Sequence, residues 1–285
     1  MSEEQGATPL RDTVVTAIAP CIWGTTYLVT TEFLPADRPL TAAVLRVLPI
    51  GVIMLAVLRV WPKGHWWWRL TVLGLLNIGI FQALLFIAAY RLPGGVAATV
   101  IATQPLCVAI LSRPLLHLRP TRLAWIAAVT GVVGVALLVL NPTARLDAIG
   151  IVAAVAGAVC IGLGTVLTKR WASPLPLAAF TTWQLVFGGI FLLPLAMLFE
   201  ESLTGVTGRN LAGYAYLGII GTGVTYLVWF RGIRRLQASA VSILGLLSPI
   251  VATVLGYLVL DQALSAIQIT GGVLVLWSVW AGQRQ

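Results

Sequence analysis

Apolar residues along this chain form long unbroken runs separated by short polar stretches, and the runs show no strict apolar–polar alternation. Ten runs are long enough to cross a membrane. Five fall at Thr13 to Thr31, Pro39 to Leu58, Leu70 to Tyr90, Gly94 to Ser112 and Leu123 to Leu140; five more fall at Ala148 to Thr168, Pro176 to Phe199, Leu211 to Phe230, Leu236 to Leu260 and Ala263 to Trp280. A helix needs about 20 residues to span the hydrocarbon. Lipid-exposed backbone must satisfy its own hydrogen bonds, which a helix does and a non-alternating run cannot do as a barrel strand. The pattern predicts an all-α polytopic membrane protein with ten transmembrane helices.

The polar stretches between the runs give an orientation. Arg11, Arg59, Lys63, Arg69, Arg113, Arg119, Arg122, Lys169, Arg170, Arg231, Arg234, Arg235 and Arg284 all fall on the amino-terminal side of the predicted bundle. Only Arg38, Arg91, Arg145 and Arg209 fall opposite, and Arg46 lies inside the second run. Positive loops stay in the cytoplasm, so both termini are expected there, in the cytoplasmic membrane of a bacterium, and the number of spans is even. The leader from Met1 to Asp12 holds Glu3, Glu4 and Asp12 against Arg11 alone. That is the wrong charge for a signal peptide, so the first run is expected to remain as a helix.

Composition narrows the function classes. With 59% hydrophobic and 9% charged residues and a mean hydropathy of +0.97, the chain leaves no room for a separate soluble domain. The net charge of +9 is scattered between runs rather than gathered on one face, so no nucleic-acid partner is expected. Cys21, Cys107 and Cys160 lie inside apolar runs without metal-ligand spacing, so they read as packing residues and no metal or other cofactor is expected. His65 and His117 both lie near membrane ends, and neither HExxH nor GxSxG is present, which argues against an enzyme. No phosphate-binding G-x-x-x-x-G-K-[ST] loop occurs. A channel would present charge rings or a carbonyl filter.

The chain also repeats itself. A shift of 144 residues places Leu73-Gly74 on Leu217-Gly218, Phe86 on Phe230, Leu92 on Leu236, Pro105 on Pro249 and Leu111 on Leu255. Thr130-Gly131 matches Thr270-Gly271, and Pro39-Leu40 matches Pro176-Leu177, at slightly smaller shifts. Two five-helix copies are expected, residues 1–146 and 147–285. Because five is odd, the second copy is inverted, an architecture that forms a substrate site near the midplane between repeats.

Several residues resemble the EamA-type ten-helix exporters of the drug/metabolite transporter superfamily, and the similarity covers nearly the whole chain. They are Trp23-Gly24, Arg46, and Ala88-Ala89-Tyr90 through Ala97-Ala98 to Pro105 in the first copy. In the second they are Trp183-Gln184 with Gly188-Gly189, Ser239-Ala240 through Leu247-Ser248-Pro249, and Gly271-Gly272. The chain departs from the family pattern where Glu is usual at the ends of helices 4 and 9, offering Arg119 and Asp261 instead. In overall pattern it is most similar to the aromatic amino-acid exporters of the YddG type. The resemblance implies a membrane transporter exporting small organic solutes, in particular aromatic or neutral amino acids, by alternating access. Efflux of hydrophobic drugs or other metabolites is the alternative.

Arg46 is the one charged side chain well inside a run. An arginine at a helix centre costs roughly 2.5–3.5 kcal/mol to insert. It either meets a substrate carboxylate or serves structure by snorkelling to headgroups or bonding carbonyls at a helix break. Asn77, Gln82, Thr99, Thr103, Gln104, Gln184, Ser242 and Ser248 should face helices or water rather than lipid. The 144-residue shift pairs Gln82 with Tyr226 and Gln104 with Ser248, so these are expected to line one cavity. Trp23, Phe81 and Trp183 lie deep enough to form its walls, while Trp61, Trp66 to Trp68, Trp125, Trp171, Trp229, Trp277 and Trp280 read as an interfacial belt. Gly150, Ala154, Ala158 and Gly162 form a small-residue packing stripe, and Pro105 and Pro249 are the expected hinges. All nine acids fall outside the runs or at their ends, which predicts a facilitator; separately, the transporter is expected to work as a monomer.

Overall fold

The computed structural model describes residues 8–35, 38–92, 94–139, 147–201, 203, 205–259 and 264–284. Arg145 and Asp261, which the sequence pattern singles out, lie outside the described residues. The chain is almost wholly helical. We number the ten spanning helices in chain order. The first five are α1 (Thr8–Phe33), α2 (Pro39–Leu58), α3 (Trp66–Gly74, Leu75–Gly79 and Ile80–Arg91), α4 (Gly94–Ile101 and Gln104–Leu116) and α5 (Arg122–Val139). The second five are α6 (Ala148–Trp171), α7 (Leu177–Phe199), α8 (Gly208–Gly218, Ile219–Val224 and Thr225–Arg235), α9 (Ala238–Leu244 and Leu247–Val259) and α10 (Ala266–Gly282). Among the described residues, nine are long and apolar enough to cross a membrane, and α10 is a shorter apolar helix. We call the end of the bundle that carries Arg59, Arg113, Arg170 and Arg235 the basic face.

Helix α1 starts earlier than its apolar run. Asp12, expected ahead of the first helix, lies inside it and is 7% exposed.

The two halves repeat each other feature by feature. Leu75–Gly79 and Ile219–Val224 are both π-helical stretches, and they begin 144 residues apart. Breaks at Ala102–Thr103 in α4 and Gly245–Leu246 in α9 fall at nearly the same spacing. Packing obeys the same exchange. Helix α3 packs on α6 as α8 does on α1, and α4 packs on α6 as α9 does on α1, while α2 with α7 and α5 with α10 pair across the pseudo-symmetry axis. Five spans reverse the direction of entry, so the second copy is inverted.

Small residues allow the closest of these pairings. A Cβ on Gly271 of α10 would lie 2.6 Å from the Gly134 carbonyl oxygen and 2.6 Å from the Leu138 nitrogen of α5. Both obstacles are backbone, so no rotamer change relieves them. Gly271→Ala is expected to destabilise by roughly 1–3 kcal/mol, the usual effect of overpacking, read as a lowered Tm of the purified protein.

Candidate functional site

A π-helical turn inserts a residue into the helix and disturbs the ladder of backbone hydrogen bonds. In membrane-buried helices, a carbonyl freed in this way needs another donor. The side chains around the two turns differ: in α3 they bond one another, and in α8 they bond a carbonyl of the turn. In α3, Asn77 reaches out of the π turn, its Nδ2 donating to Gln184 Oε1 of α7 at 2.7 Å and to Thr168 Oγ1 of α6 at 3.3 Å. Asn77, Gln184 and Thr168 are all 3% exposed or less. This is a dry network joining three helices.

In α8 the donor comes from outside. Arg46 of α2 donates from Nη2 to the Gly221 carbonyl at 2.9 Å and from Nε to Thr222 Oγ1 at 3.1 Å. Thr225 Oγ1 also donates to the Gly221 carbonyl and accepts from Trp23 Nε1 of α1 at 3.0 Å. The Trp23 ring lies 5.5 Å from Tyr226 and 5.2 Å from Trp229. Arg46 is only half-buried. Among the described residues no carboxylate is within ion-pair distance of it. One guanidinium and three aromatic rings thus share a stretch of α8 with the hydroxyls of Thr222 and Thr225.

The other expected site residues divide between these two networks. A Cβ on Gly245, at the break of α9, would sit 3.7 Å from Trp229 and 3.9 Å from Gln104 Oε1, which links Gln104 of α4 to the aromatic group. Gln104 Nε2 is buried without a partner among the described residues. Thr103 Oγ1 donates to the Val100 carbonyl at the break of α4. Ser248 presents its carbonyl to Gly24 of α1. Gln82 and Tyr226 are both buried. Thr99 is half-buried. Phe81 faces Gly157 of α6. Pro105 and Pro249 each follow a break within the first turn of the next helical piece, where a missing N–H costs least.

Two tryptophans sit elsewhere than expected, and one belt residue is buried where it stands. Trp229, placed in the interfacial belt, is 3% exposed and stacks on Trp23. Trp66 of the same belt is also buried. Trp183, placed deep, gathers with Trp61 and Trp67 near the basic face and donates from Nε1 to the Val60 carbonyl. Sequence reasoning misses Thr222 and Thr225 altogether. One signal was available: the 144-residue shift sets them against Ile78 and Phe81, so two hydroxyls stand where the first copy is apolar.

The helix packing defines where this group can be reached. Helices α4 and α9 meet through Gln104–Leu116 and Ala238–Leu244, the halves nearest the basic face. Among the described residues, Gly94–Ile101 and Leu247–Val259 make no comparable contact. Helix α6 likewise meets α8 and α9 through Thr225–Arg235 and Ala238–Leu244. The α3–α4–α6 group is therefore joined to the α1–α8–α9 group at the basic face and parts from it toward the opposite face. Lys169 of α6 is part of the joint, its Nζ donating to the Arg234 and Leu236 carbonyls at 3.0 and 2.8 Å. The described carboxylates are all engaged at helix ends: Asp12 with Arg231 and Arg235, Glu32 with Arg209, Asp147 with Arg91, Glu201 with Arg38. Glu200 receives the Leu40 and Thr41 backbone N–H groups at the start of α2.

Ten helices in two inverted copies, with a polar and aromatic group where helices of the two copies meet, define an inverted-repeat membrane transporter. The model of the EamA-like transporter family matches residues 13–140 and again 148–281, and the chain belongs to that family. Protein PecM of Dickeya dadantii is 48% identical over 90% of this chain and 87% of its own length. The uncharacterized transporter YwfM of Bacillus subtilis is 29% identical over 87% of this chain and 85% of its own. The uncharacterized inner membrane transporter YedA of Escherichia coli is 26% identical over 87% and 82%. One solved crystal structure shares the fold, with a TM-score of 0.82 at 21% identity, covering 95% of this chain and 97% of that one.

Proposed function

We propose that this transporter exports aromatic or large neutral amino acids, or related carboxylates, from the cytoplasm. The observation that carries the reading is Arg46, a half-buried guanidinium held by Gly221 and Thr222 beside the Trp23 and Tyr226 rings, with no carboxylate partner among the described residues. Its planar fork suits a carboxylate, and the rings suit a flat apolar body. The basic face is cytoplasmic on the positive-inside principle, so the parting between the two helix groups faces outward. Residues 1–146 and 147–285 are the two units that exchange conformations, with the breaks before Pro105 and Pro249 as flexing points. The candidate cavity comprises Trp23, Arg46, Gln82, Thr99, Thr103, Gln104, Tyr226 and Ser248, joined by Trp229, Thr222 and Thr225. Asn77, Gln184, Phe81 and Trp183 support it from the α6 and α7 side.

With the described acids engaged at membrane faces, the driving force is the substrate's own gradient; the working unit is taken to be a monomer. Proteoliposomes preloaded with unlabelled phenylalanine should therefore accumulate labelled phenylalanine by counterflow. An imposed pH gradient without a substrate gradient should concentrate nothing. Uphill accumulation on the pH gradient would overturn the facilitator reading, and counterflow of flat hydrophobic cations but not of amino acids would favour drug efflux.

A further inference from the structure

A cavity of about 340 Å³ opens at the basic face where α7 begins and α8 ends, lined by Leu177, Arg231, Arg234 and Arg235. We propose that it is a binding site for a phosphate oxyanion, supplied by the headgroup of an anionic phospholipid or by free phosphate.

The charge balance favours an anion. Three guanidiniums line the cavity, and among the described residues the one carboxylate paired with them is Asp12 of α1, which takes Arg231 and Arg235. Arg231 donates to Asp12 through Nη2, while its Nη1 is buried without a partner among the described residues. The accessible contact for an oxyanion is the Arg235 guanidinium, whose side chain is 56% exposed. Arg234 is held in place from the side, its Nη2 on the Leu175 carbonyl at 3.1 Å and its Cζ 4.9 Å from the Phe180 ring centroid. Lys169 is already committed to the Arg234 and Leu236 carbonyls, so it fixes the end of α8 rather than competing for the ligand. Leu177 gives one apolar wall, which suits the start of a lipid acyl chain. Basic pockets between helix ends on the cytoplasmic side are where anionic headgroups collect.

The test uses the full-length protein in detergent, followed by native mass spectrometry with phosphatidylglycerol or phosphatidylcholine added at equal concentration, each with and without excess inorganic phosphate. One phosphatidylglycerol should be retained in preference to phosphatidylcholine if the source is lipid. Displacement of that lipid by phosphate, or a bound phosphate alone, assigns the same site to the free ion. Arg235→Gln should weaken retention about five-fold. The Arg235 side chain is 56% exposed, so this change leaves the fold intact, and a matching gel-filtration profile checks it. Arg119→Gln, an exposed arginine elsewhere on the basic face, should change nothing. Asp12→Asn removes the competing carboxylate and should strengthen retention. Equal retention of the two lipids with no bound phosphate, or unchanged retention in Arg235→Gln, overturns the proposal.

Discussion

Arg46→Gln should lower affinity for carboxylate substrates roughly ten- to a hundred-fold, because a hydrogen bond to a charged group contributes about 1.5–3 kcal/mol. The same change should leave affinity for the methyl ester of the same amino acid nearly unaltered. The ester comparison separates a substrate contact from a structural one. In the free protein the guanidinium bonds Gly221 and Thr222 of the α8 π turn, and a Gln amide can still donate to one of those oxygens. If acid and ester lose affinity together, Arg46 serves only the π turn, and the amino-acid reading falls. Equilibrium binding in detergent measures both, and counterflow in proteoliposomes shows whether the loss carries into transport.

Lys169→Met should move the molecule toward the arrangement open at the basic face, by about ten-fold or more in population. The ammonium bridges α6 to the last carbonyls of α8, and its positive charge also suits the negative end of that helix. Methionine keeps the apolar stem and removes both donors. Two charge-assisted bonds at about 1.5–3 kcal/mol each exceed the roughly 1.4 kcal/mol that a ten-fold shift requires, even after water takes over part of their role. Spin labels at the exposed positions Arg11 of α1 and Arg113 of α4 report the separation of the two groups at that face. A distance distribution identical to that of the unsubstituted protein would show that Lys169 does not hold the joint.

These two residues were not equally legible. Arg46 stood out because charge inside an apolar run is costly wherever the chain goes. Lys169 read as one more positive residue at the basic face. Nothing local to it announces that α8 ends within reach, 65 residues further on. Trp229 shows a different limit. It lies six residues before Arg235, so the sequence places it in the interfacial belt. The π turn upstream adds a residue and rotates the downstream part of α8 by about 100° relative to an unbroken α-helix, and the ring ends up against Trp23 instead. Trp183 shows a third. It occupies the place in the second copy that Arg46 holds in the first, seven residues beyond Pro176 as Arg46 is beyond Pro39, yet inversion brings it toward the basic face beside Trp61. Equivalent positions in inverted copies share a depth only near the midplane.

The ten apolar runs, their helical nature and the repetition are legible along the chain alone, since they come from apolar length, backbone hydrogen bonding in lipid and matched residues 144 apart. Which polar residues meet depends on how the helices pack. The Asn77–Gln184–Thr168 network is fully buried, whereas Arg46 stays partly exposed above buried Gly221 and Thr222, because the α3–α4–α6 and α1–α8–α9 groups, each drawn from both copies, join at the basic face and part at the other. That asymmetry arises from contacts between helices far apart in the chain, and no periodicity within a single helix encodes it.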